Sequence, residues 1–542
     1  MVYLWAFLLG LLQAASFSLG TTGSASGLLQ VLSLAGLFYL WAVSRRVVWV
    51  TFCFGWAWLG VGLYWLHFSM HDIGGLPAPL SGLAIFLLAS YLTVFYVLAA
   101  LVFRRFESRA REFESVHTWC ASFVIGLPCL WVLAELGRGY VFTGFPWLMG
   151  GYAHVDNPLT KGWFAIFGAY GVGFVASIFA AVMAWLLVSL TNRRGDVSRS
   201  VETLVMARVV VWPVFVVAAL AVVGLVLQGV SWGQSATSLT VRLVQPNVSQ
   251  SIKFNESAIV RNTELFLKVA ASSDAPLTVF PETALPYPWT MAPQAPLAAL
   301  SDELKKDAGA GNSRAVIMGS VGVDAVQRDA DGQPTLYNSA MWLDANGDVF
   351  NPARYDKIHL LPFGEVVPFG FQWFVDAMNI PLGGYGRGDS MKPFSLQTAK
   401  GVVNVGVNIC YENEFGEELI RAWDSGDAAA PNLIVNVTNL GWFGTIDVST
   451  SQMQHLQMSR ARALEMARPV IVATNTGLSA NIDAAGEVVD LLPPEKAVIQ
   501  DVSVQTMTGR TPFTYWGNLP LLAIVSFVFG LNIFLRHRYS GA

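Results

Sequence analysis

The sequence predicts a multi-pass α-helical membrane domain and an α/β layered domain within one chain. Of the 542 residues, 54% are hydrophobic and only 13% are charged, far more apolar than an ordinary soluble protein of this length. Apolar stretches long enough to cross a bilayer fill most of the N-terminal part and recur near the end. Between them, short β-rich segments alternate with helical ones, which indicates a layered domain.

The apolar stretches predict eight transmembrane helices. They lie at 2–20, 27–43, 50–67, 79–103, 119–136, 162–190, 209–229 and 515–535. The first could instead be a cleaved signal peptide ending near Ala14-Ala15-Ser16, but it lacks the basic leading region of such peptides, so a helix is preferred. The chain is therefore divided into a membrane domain at 1–234, a layered domain at 235–511, and a final helix with its tail at 512–542.

Arginines near the ends of the helices predict the orientation, because Lys and Arg mark the cytoplasmic side. They follow the second, fourth, sixth and eighth helices: Arg45, Arg46, Arg104, Arg105, Arg109, Arg111, Arg193, Arg194, Arg199, Arg208, Arg536 and Arg538. The loops at 21–26, 68–78 and 137–161 carry only Arg138 and Lys161. Both termini are therefore predicted to be cytoplasmic, with the layered domain external. The net charge of -4 argues against a nucleic-acid partner.

The layered domain is predicted from alternating strand and helix patterns. Strands are expected at 239–244, 277–280, 315–321, 339–343, 402–409, 433–438 and 470–474, and helices at 255–271, 297–308 and 452–467. This alternation predicts sheets covered by helices. Catalytic groups in such domains tend to lie at strand ends or in the loops that follow.

Three strand ends carry groups that together fit one chemistry. Glu282 follows the strand at 277–280, Lys357 begins the motif Lys357-Ile-His-Leu-Leu-Pro-Phe-Gly-Glu365, and Cys410 ends the strand at 402–409. A carboxylate can remove a thiol proton, and a fixed cation can stabilise the oxyanion formed when a thiolate attacks a carbonyl. Taken alone, Cys410 is read more readily as a buried structural residue. The combination favours a nucleophile.

These motifs resemble the Glu-Lys-Cys triad of the nitrilase (carbon-nitrogen hydrolase) superfamily, which implies a nitrilase-like αββα sandwich. The membrane helices extend the likeness, because a nitrilase-like domain before the last of eight helices resembles the bacterial apolipoprotein N-acyltransferase family. Further motifs carry this resemblance: Phe142-Thr-Gly-Phe-Pro-Trp-Leu148, Trp442-Phe443-Gly444 and Arg460-Ala-Arg-Ala-Leu-Glu465-Met-Ala-Arg-Pro469.

The resemblance implies a role for each residue of the triad. Glu282 would be the general base, Lys357 would hold the oxyanion, and Cys410 would take an acyl chain from a phospholipid as a thioester. The acceptor would be the α-amine of the diacylglyceryl-cysteine that begins an apolipoprotein. No cofactor or metal is expected, and we expect a monomer embedded in the lipid bilayer.

Three further residues are predicted to support the triad. Glu365 is expected to position Lys357 or Glu282, with a purely structural ion pair as an equal alternative. Tyr411 and Glu412 are expected to orient the nucleophile or its loop, and a structural role is again the alternative.

Loops rich in proline and aromatic residues, at 283–291 and 366–388, are predicted to form a lid that contacts lipid. The alternative is that they pack against their own domain. Lipid or substrate contacts are expected at Phe254, Trp289, Trp373, Tyr385, Trp442 and Phe443. Two positions depart from the family pattern: Phe254 replaces an expected Trp, and Leu440 replaces an expected Asp.

Two polar clusters outside the triad are given structural interpretations. His67, His71 and Asp72 are read as a solvated or interfacial loop, because no third ligand follows at a usual metal-binding spacing. Glu135 and Arg138 are read as a structural ion pair, although ionisable groups at that depth are often functional.

Two rival functions remain open at this stage. The first is a membrane-tethered amidase that acts on a small external amide, and the second is a non-catalytic membrane scaffold. The intact triad disfavours the scaffold, and seven preceding helices are more than tethering requires.

Overall fold

In the computed structural model, the described residues are 1–17, 25–112, 122–191, 201–308, 313–329, 332–367, 370 and 384–540. The chain divides into two units. The first consists of 1–64, 82–231 and 515–542, and the second of 65–81 and 232–514. The segment 65–81, which the sequence assigns to the membrane domain, therefore groups with the layered domain.

The longer helices follow one another in chain order. They are α1 (Val2–Ala15), α2 (Gly27–Val43), α3 (Val47–Gly55), α4 (Ala78–Glu112), α5 (Leu127–Tyr140), α6 (Phe164–Thr191), α7 (Val201–Gln228), α8 (Glu256–Ala271), α9 (Gln294–Ala308), α10 (Ser451–Met466) and α11 (Leu519–Ser540). The first seven and α11 correspond to the predicted membrane segments, and α8 to α10 to the three predicted helices of the layered domain.

Four apolar helices of the described chain are long enough to cross a membrane by length and composition. They span Ala78–Arg105, Phe123–Thr143, Lys161–Thr191 and Val211–Gln228. The other four predicted segments form shorter apolar helices, at Val2–Ala15, Gly27–Val43, Val47–Gly60 and Leu519–Gly530. All eight segments are thus helical over most of their described residues, and the number that span the bilayer stays a prediction.

Glu135 and Arg138 form a buried ion pair within the first unit, as the structural interpretation expects. Their Oε1 and Nη2 atoms are 3.6 Å apart. The Tyr96 hydroxyl donates to Glu135 Oε1 at 2.8 Å, and Arg138 Nη1 donates to the carbonyls of Phe145 and Trp147 at 2.9 and 2.8 Å. The pair therefore fixes the backbone that follows α5.

The second unit contains two six-stranded sheets. Its strands are β1 (Gly233–Gln245), β2 (Leu277–Val279), β3 (Ala315–Arg328), β4 (Pro334–Asp344), β5 (Ala353–Asp356), β6 (Phe394–Thr398), β7 (Gly401–Ile409), β8 (Leu433–Thr438), β9 (Val470–Thr474), β10 (Ala480–Ile482), β11 (Val488–Leu491) and β12 (Val498–Gly509). The orders are β12-β1-β2-β3-β4-β5 and β11-β10-β9-β8-β7-β6. In each sheet three parallel strands, β1-β2-β3 or β7-β8-β9, are flanked by antiparallel ones.

The two sheets pack face to face, with helices outside. One buried cluster joins Val241, Val279 and Ile317 of the first sheet to Val405, Val435 and Ile471, which share one face of the second. The alternate residues of β3, Val316 and Met318, point to the other face and pack with Phe266 of α8 and Leu300 of α9. The cluster also includes residues of the other face of the second sheet, such as Val472, together with Leu456 and Met466 of α10. The predicted αββα sandwich is confirmed.

The seven predicted strands are all present, but the prediction missed five more. Of these, β12 pairs with β1 along almost its whole length, with Leu239 opposite Val504 and Val241 opposite Val502. Its sequence alternates apolar and polar residues, so the signal was available. The others, β5, β6, β10 and β11, have three to five residues, too few for a periodic signal.

Candidate active site

The structure brings the ends of β2, β5 and β7 together. Glu282 lies three residues beyond β2, Lys357 directly follows β5, and Cys410 directly follows β7 and begins a 3-10 turn, Cys410–Glu414. Their exposed fractions are 8%, 1% and 9%. Glu282 and Lys357 come from the first sheet and Cys410 from the second, so the face-to-face packing of the sheets brings the three side chains together.

Lys357 lies between two carboxylates. Its Nζ atom is 2.8 Å from Glu365 Oε2 and 3.9 Å from Glu282 Oε1. Burial alone would lower the pKa of Lys357, but the charges of Glu365 and Glu282 outweigh it and hold this pKa above its usual value. The side chain is therefore a fixed ammonium.

The Glu282 carboxyl is tuned by opposing influences. Burial raises its pKa above the usual glutamate value, the Lys357 charge opposes this, and the charge of Glu365 adds to the rise. A carboxylate with a raised pKa is a better proton acceptor than an exposed one, provided that it remains ionised.

Close backbone packing fixes the turn that carries Glu282. At Gly319 of β3, a Cβ atom would lie 2.4 Å from the carbonyl oxygen of Pro281 and 2.7 Å from Cα of Glu282, so only glycine allows β3 to approach. The next residue, Thr283, has a φ of +45°. Left-handed backbone of this kind is uncommon outside glycine and is typical of functional turns.

Cys410 also has left-handed backbone, with a φ of +51°. Burial raises the pKa of its thiol to about 12; the Glu282 charge adds to the rise and the Lys357 charge opposes it. The resting thiol is therefore protonated, and its proton has to be removed as the sulfur attacks. The charges of Glu282 and Lys357 both reach the thiol.

Glu412 ties the loop of Cys410 to the loop of Lys357. Its Oε1 atom accepts hydrogen bonds from the amides of Ile358 and His359 at 2.7 and 3.0 Å and from the Tyr355 hydroxyl at 2.8 Å. Its Oε2 atom accepts from the amide of Ile409 at 2.7 Å. These bonds favour a positioning role for Glu412, one of the two alternatives that the sequence left open.

The other two supporting residues also have defined surroundings. Glu365 Oε2 accepts from the amide of Leu361 at 2.8 Å as well as pairing with Lys357, so it holds the ammonium in place. The Tyr411 ring is 3% exposed and packs edge-on against Phe415, with centroids 5.2 Å apart.

Sequence reasoning missed two buried polar residues of the site. Asn338 of β4 donates from Nδ2 to Glu282 Oε1 at 2.8 Å and to Glu365 Oε1 at 2.6 Å. Lys253 Nζ donates to Thr283 Oγ1 at 2.6 Å and to the carbonyl of Glu282 at 3.3 Å, and burial lowers its pKa to about 8. The available signal for Asn338 was an amide directly before the predicted strand at 339–343.

Replacing Asn338 by leucine is expected to lower acyl transfer by about tenfold or more, because a hydrogen bond to a charged group contributes about 1.5–3 kcal/mol. The amide favours the ionised form of Glu282, so its loss raises the pKa of Glu282 further. The acid limb of the pH-rate profile should therefore move to higher pH. Exposed Asn351, replaced by leucine, is the control. A uniform loss of rate with an unmoved acid limb would make Asn338 a merely structural residue.

Two of the residues predicted to contact lipid or substrate are buried and pack within the fold. Trp289 is 4% exposed, lies in the outer core with Leu285, and donates from Nε1 to the Val349 carbonyl at 3.0 Å. Phe443 is 7% exposed and packs edge-on against Trp65, with centroids 4.6 Å apart. Burial of these large rings stabilises the fold, so the 283–291 segment follows the alternative reading and packs on its own domain.

The remaining lipid contacts stay predictions. Phe254 is exposed, Trp442 is half-buried, and the Tyr385 amide donates to the Glu365 carbonyl at 3.2 Å. Trp373 and most of the predicted loop around it lie outside the described residues. Leu440 is fully buried, as suits its apolar side chain.

Comparison with known families defines the class of this site. Residues 240–511 match the family model for carbon-nitrogen hydrolases, which covers the sandwich and all three strand-end groups. Residues 9–182 match the model for the apolipoprotein N-acyltransferase N-terminal domain. The chain thus joins a carbon-nitrogen hydrolase domain to a helical membrane domain.

Curated relatives match both parts at once. The apolipoprotein N-acyltransferase of Ralstonia nicotianae is 36% identical over 95% of this chain and 90% of its own length. The enzyme of Bordetella bronchiseptica is 36% identical over 86% of this chain and 83% of its own length. The enzyme of Haemophilus ducreyi is 30% identical over 97% of this chain and 97% of its own length. The chain belongs to the apolipoprotein N-acyltransferase family and is an acyltransferase of the inner membrane.

Proposed function

We propose that this protein transfers a fatty acyl chain from a phospholipid to the α-amine of the N-terminal diacylglyceryl-cysteine of apolipoproteins, through a thioester on Cys410. The observation that carries the proposal is the convergence of Glu282, Lys357 and Cys410 at buried strand ends in a chain of this family. The amidase and scaffold readings receive no comparable support.

In the first half-reaction, the Cys410 sulfur attacks the carbonyl carbon of a phospholipid ester while Glu282 takes the thiol proton. The ammonium of Lys357 stabilises the tetrahedral oxyanion. Glu282 then returns the proton to the departing alkoxide as the carbon–oxygen bond breaks. The products are an acyl thioester and a lysophospholipid.

In the second half-reaction, the α-amine of the apolipoprotein attacks the thioester carbonyl. Glu282 accepts a proton from the nitrogen, Lys357 again stabilises the oxyanion, and the sulfur leaves and regains a proton. The product is an amide, and aminolysis of a thioester is downhill without ATP. A covalent intermediate also lets two large lipid substrates use one site in turn.

The topology and assembly belong to the same proposal. The arginine distribution supports cytoplasmic termini and a catalytic domain on the external, periplasmic face. We infer a membrane domain at 1–234, a catalytic domain at 235–511 and a final helix and tail at 512–542, acting as a monomer without a nucleic-acid partner.

Incubation with phospholipid alone tests the proposal. The purified protein should gain the mass of one acyl chain on the peptide containing Cys410, and hydroxylamine should remove it. A matched ether-linked phospholipid, which lacks the ester carbonyl, should give no adduct. A protein that never acquires the adduct but hydrolyses small amides would support the tethered amidase instead.

A further inference from the structure

A single π-helical turn in the second unit gathers two histidines and an aspartate. The turn spans Phe68–Ile73 and follows directly after His67. At its end, the amide of Gly74 donates to the carbonyl of Ser69 at 3.0 Å, which is the i to i+5 hydrogen bond of a π-helix. The wider turn brings both i+4 and i+5 next to residue i, so His71 and Asp72 both lie beside His67. An α-helical spacing would place only His71 there, so Asp72 is not recognisable as a third ligand from the sequence spacing alone.

The hydrogen bonds of the two imidazoles fix their tautomers. His71 Nδ1 lies 2.7 Å from the carbonyl oxygen of Leu76, which can only accept, so Nδ1 carries the proton. His67 Nδ1 lies 2.6 Å from Ser81 Oγ, and the Ser81 hydroxyl donates its proton to the carbonyl of Ala78 at 2.9 Å. Nδ1 of His67 is therefore also the donor. In the neutral form of each ring, Nε2 then carries the lone pair.

The three donor side chains converge. One ligand atom from each of His67, His71 and Asp72 lies within 4.8 Å of the others, and His71 Nε2 is 4.0 Å from Asp72 Oδ1. The side chains of His71 and Asp72 are 41% and 54% exposed, so small rotations can bring their atoms to the shorter spacing that metal bonds of about 2.0–2.2 Å require. Among the described residues, Asp72 has no Lys or Arg partner.

We propose that His67, His71 and Asp72 bind a divalent transition metal of the Zn²⁺ class, with a fourth position open to solvent. Two neutral imidazoles and a carboxylate form a ligand set that such ions take. Histidine ligands of metals commonly donate their other ring N–H to a carbonyl or similar acceptor, as both do here. This proposal departs from the expectation of a solvated or interfacial loop, which the sequence spacing favours.

The turn that holds this site packs against the catalytic domain. Phe68 lies next to Gly444, where a Cβ atom would be 2.8 Å from Cδ2 of the ring. The Trp65 indole contacts Phe443 and donates from Nε1 to Gln454 Oε1 at 3.1 Å. The metal would therefore fasten a segment that rests on the loop after β8. Its binding should change the fluorescence of Trp65 or its neighbours.

The experiment uses full-length protein in detergent micelles, purified without a histidine tag, and titrated with Co²⁺ and then Zn²⁺. We expect one Co²⁺ per chain, with visible ligand-field absorption that Zn²⁺ abolishes by displacement. His71→Ala and Asp72→Asn should each weaken binding by at least about 100-fold. Ser81→Ala, which removes only the partner of His67, should weaken it by about tenfold.

Two controls make the result decisive. Asp447→Asn changes an exposed carboxylate of the same unit, and Cys410→Ala removes the thiol as a competing ligand; both should bind Co²⁺ as the unaltered protein does. The proposal is overturned if the unaltered protein shows no saturable binding. It is equally overturned if His71→Ala binds with full affinity, or if Cys410→Ala abolishes the signal.

Discussion

Replacement of Cys410 by alanine is expected to abolish the acyl adduct and lipoprotein N-acylation together, lowering turnover by at least about 10³-fold. The thioester cannot form without the sulfur, and neither of the other free cysteines in the described chain, Cys53 and Cys129, lies in the second unit. Mass spectrometry of the protein after incubation with phospholipid measures the adduct. N-acylation of a diacylglyceryl lipopeptide measures turnover.

The fold of this variant should survive, so the loss is chemical. Alanine at position 410 keeps the left-handed backbone and removes only one buried atom, a change of about 1 kcal/mol. Replacing half-buried Cys53 by alanine is the matched control and should leave both adduct and turnover intact. Lipoprotein N-acylation retained by the alanine variant at 410 would refute the covalent mechanism.

Glu282 and Cys410 were predictable because they follow strands with clear apolar patterns, and the ends of parallel strands lie at one edge of a sheet. Lys357 was found from its motif instead, because β5 before it is a four-residue antiparallel strand without an apolar pattern. Asn338 was missed because its role depends on which residues lie beside β4 in space. Its two carboxylate partners are 56 and 27 residues away in sequence.

Aromatic composition was a weaker guide than strand pattern. A ring-rich loop has the same sequence whether its rings face lipid or a core, and Trp289 and Phe443 fill cores. In the π-helical turn, the sequence instead failed to reveal a side-chain arrangement that is present. Because one extra residue per turn changes which side chains are neighbours, the approach of the His67 and Asp72 ligand atoms to within 4.8 Å has no signature in sequence spacing.

Replacing Lys357 by methionine is expected to lower turnover by at least about 10²–10³-fold, because the site loses the cation that stabilises both oxyanions. It should also destabilise the fold by about 3–5 kcal/mol, since Glu282 and Glu365 would stay buried without their shared counter-ion. The pKa of Glu282, already raised by burial, would rise further. A raised native pKa makes stability fall as pH rises, so the Tm of the variant should be lower at pH 8 than at pH 5.

Adding Glu365→Gln to that variant separates the two effects of Lys357. The double variant removes one of the two buried carboxylates that lack a counter-ion in the single variant. Its Tm should therefore recover much of the decrease caused by the single replacement and should depend less on pH. Turnover should stay as low as in the single variant, because no cation has been restored to the oxyanion. Recovered turnover would instead mean that Lys357 serves only to neutralise Glu365. In that case the oxyanion would have to be stabilised by backbone amides of the turn that begins at Cys410.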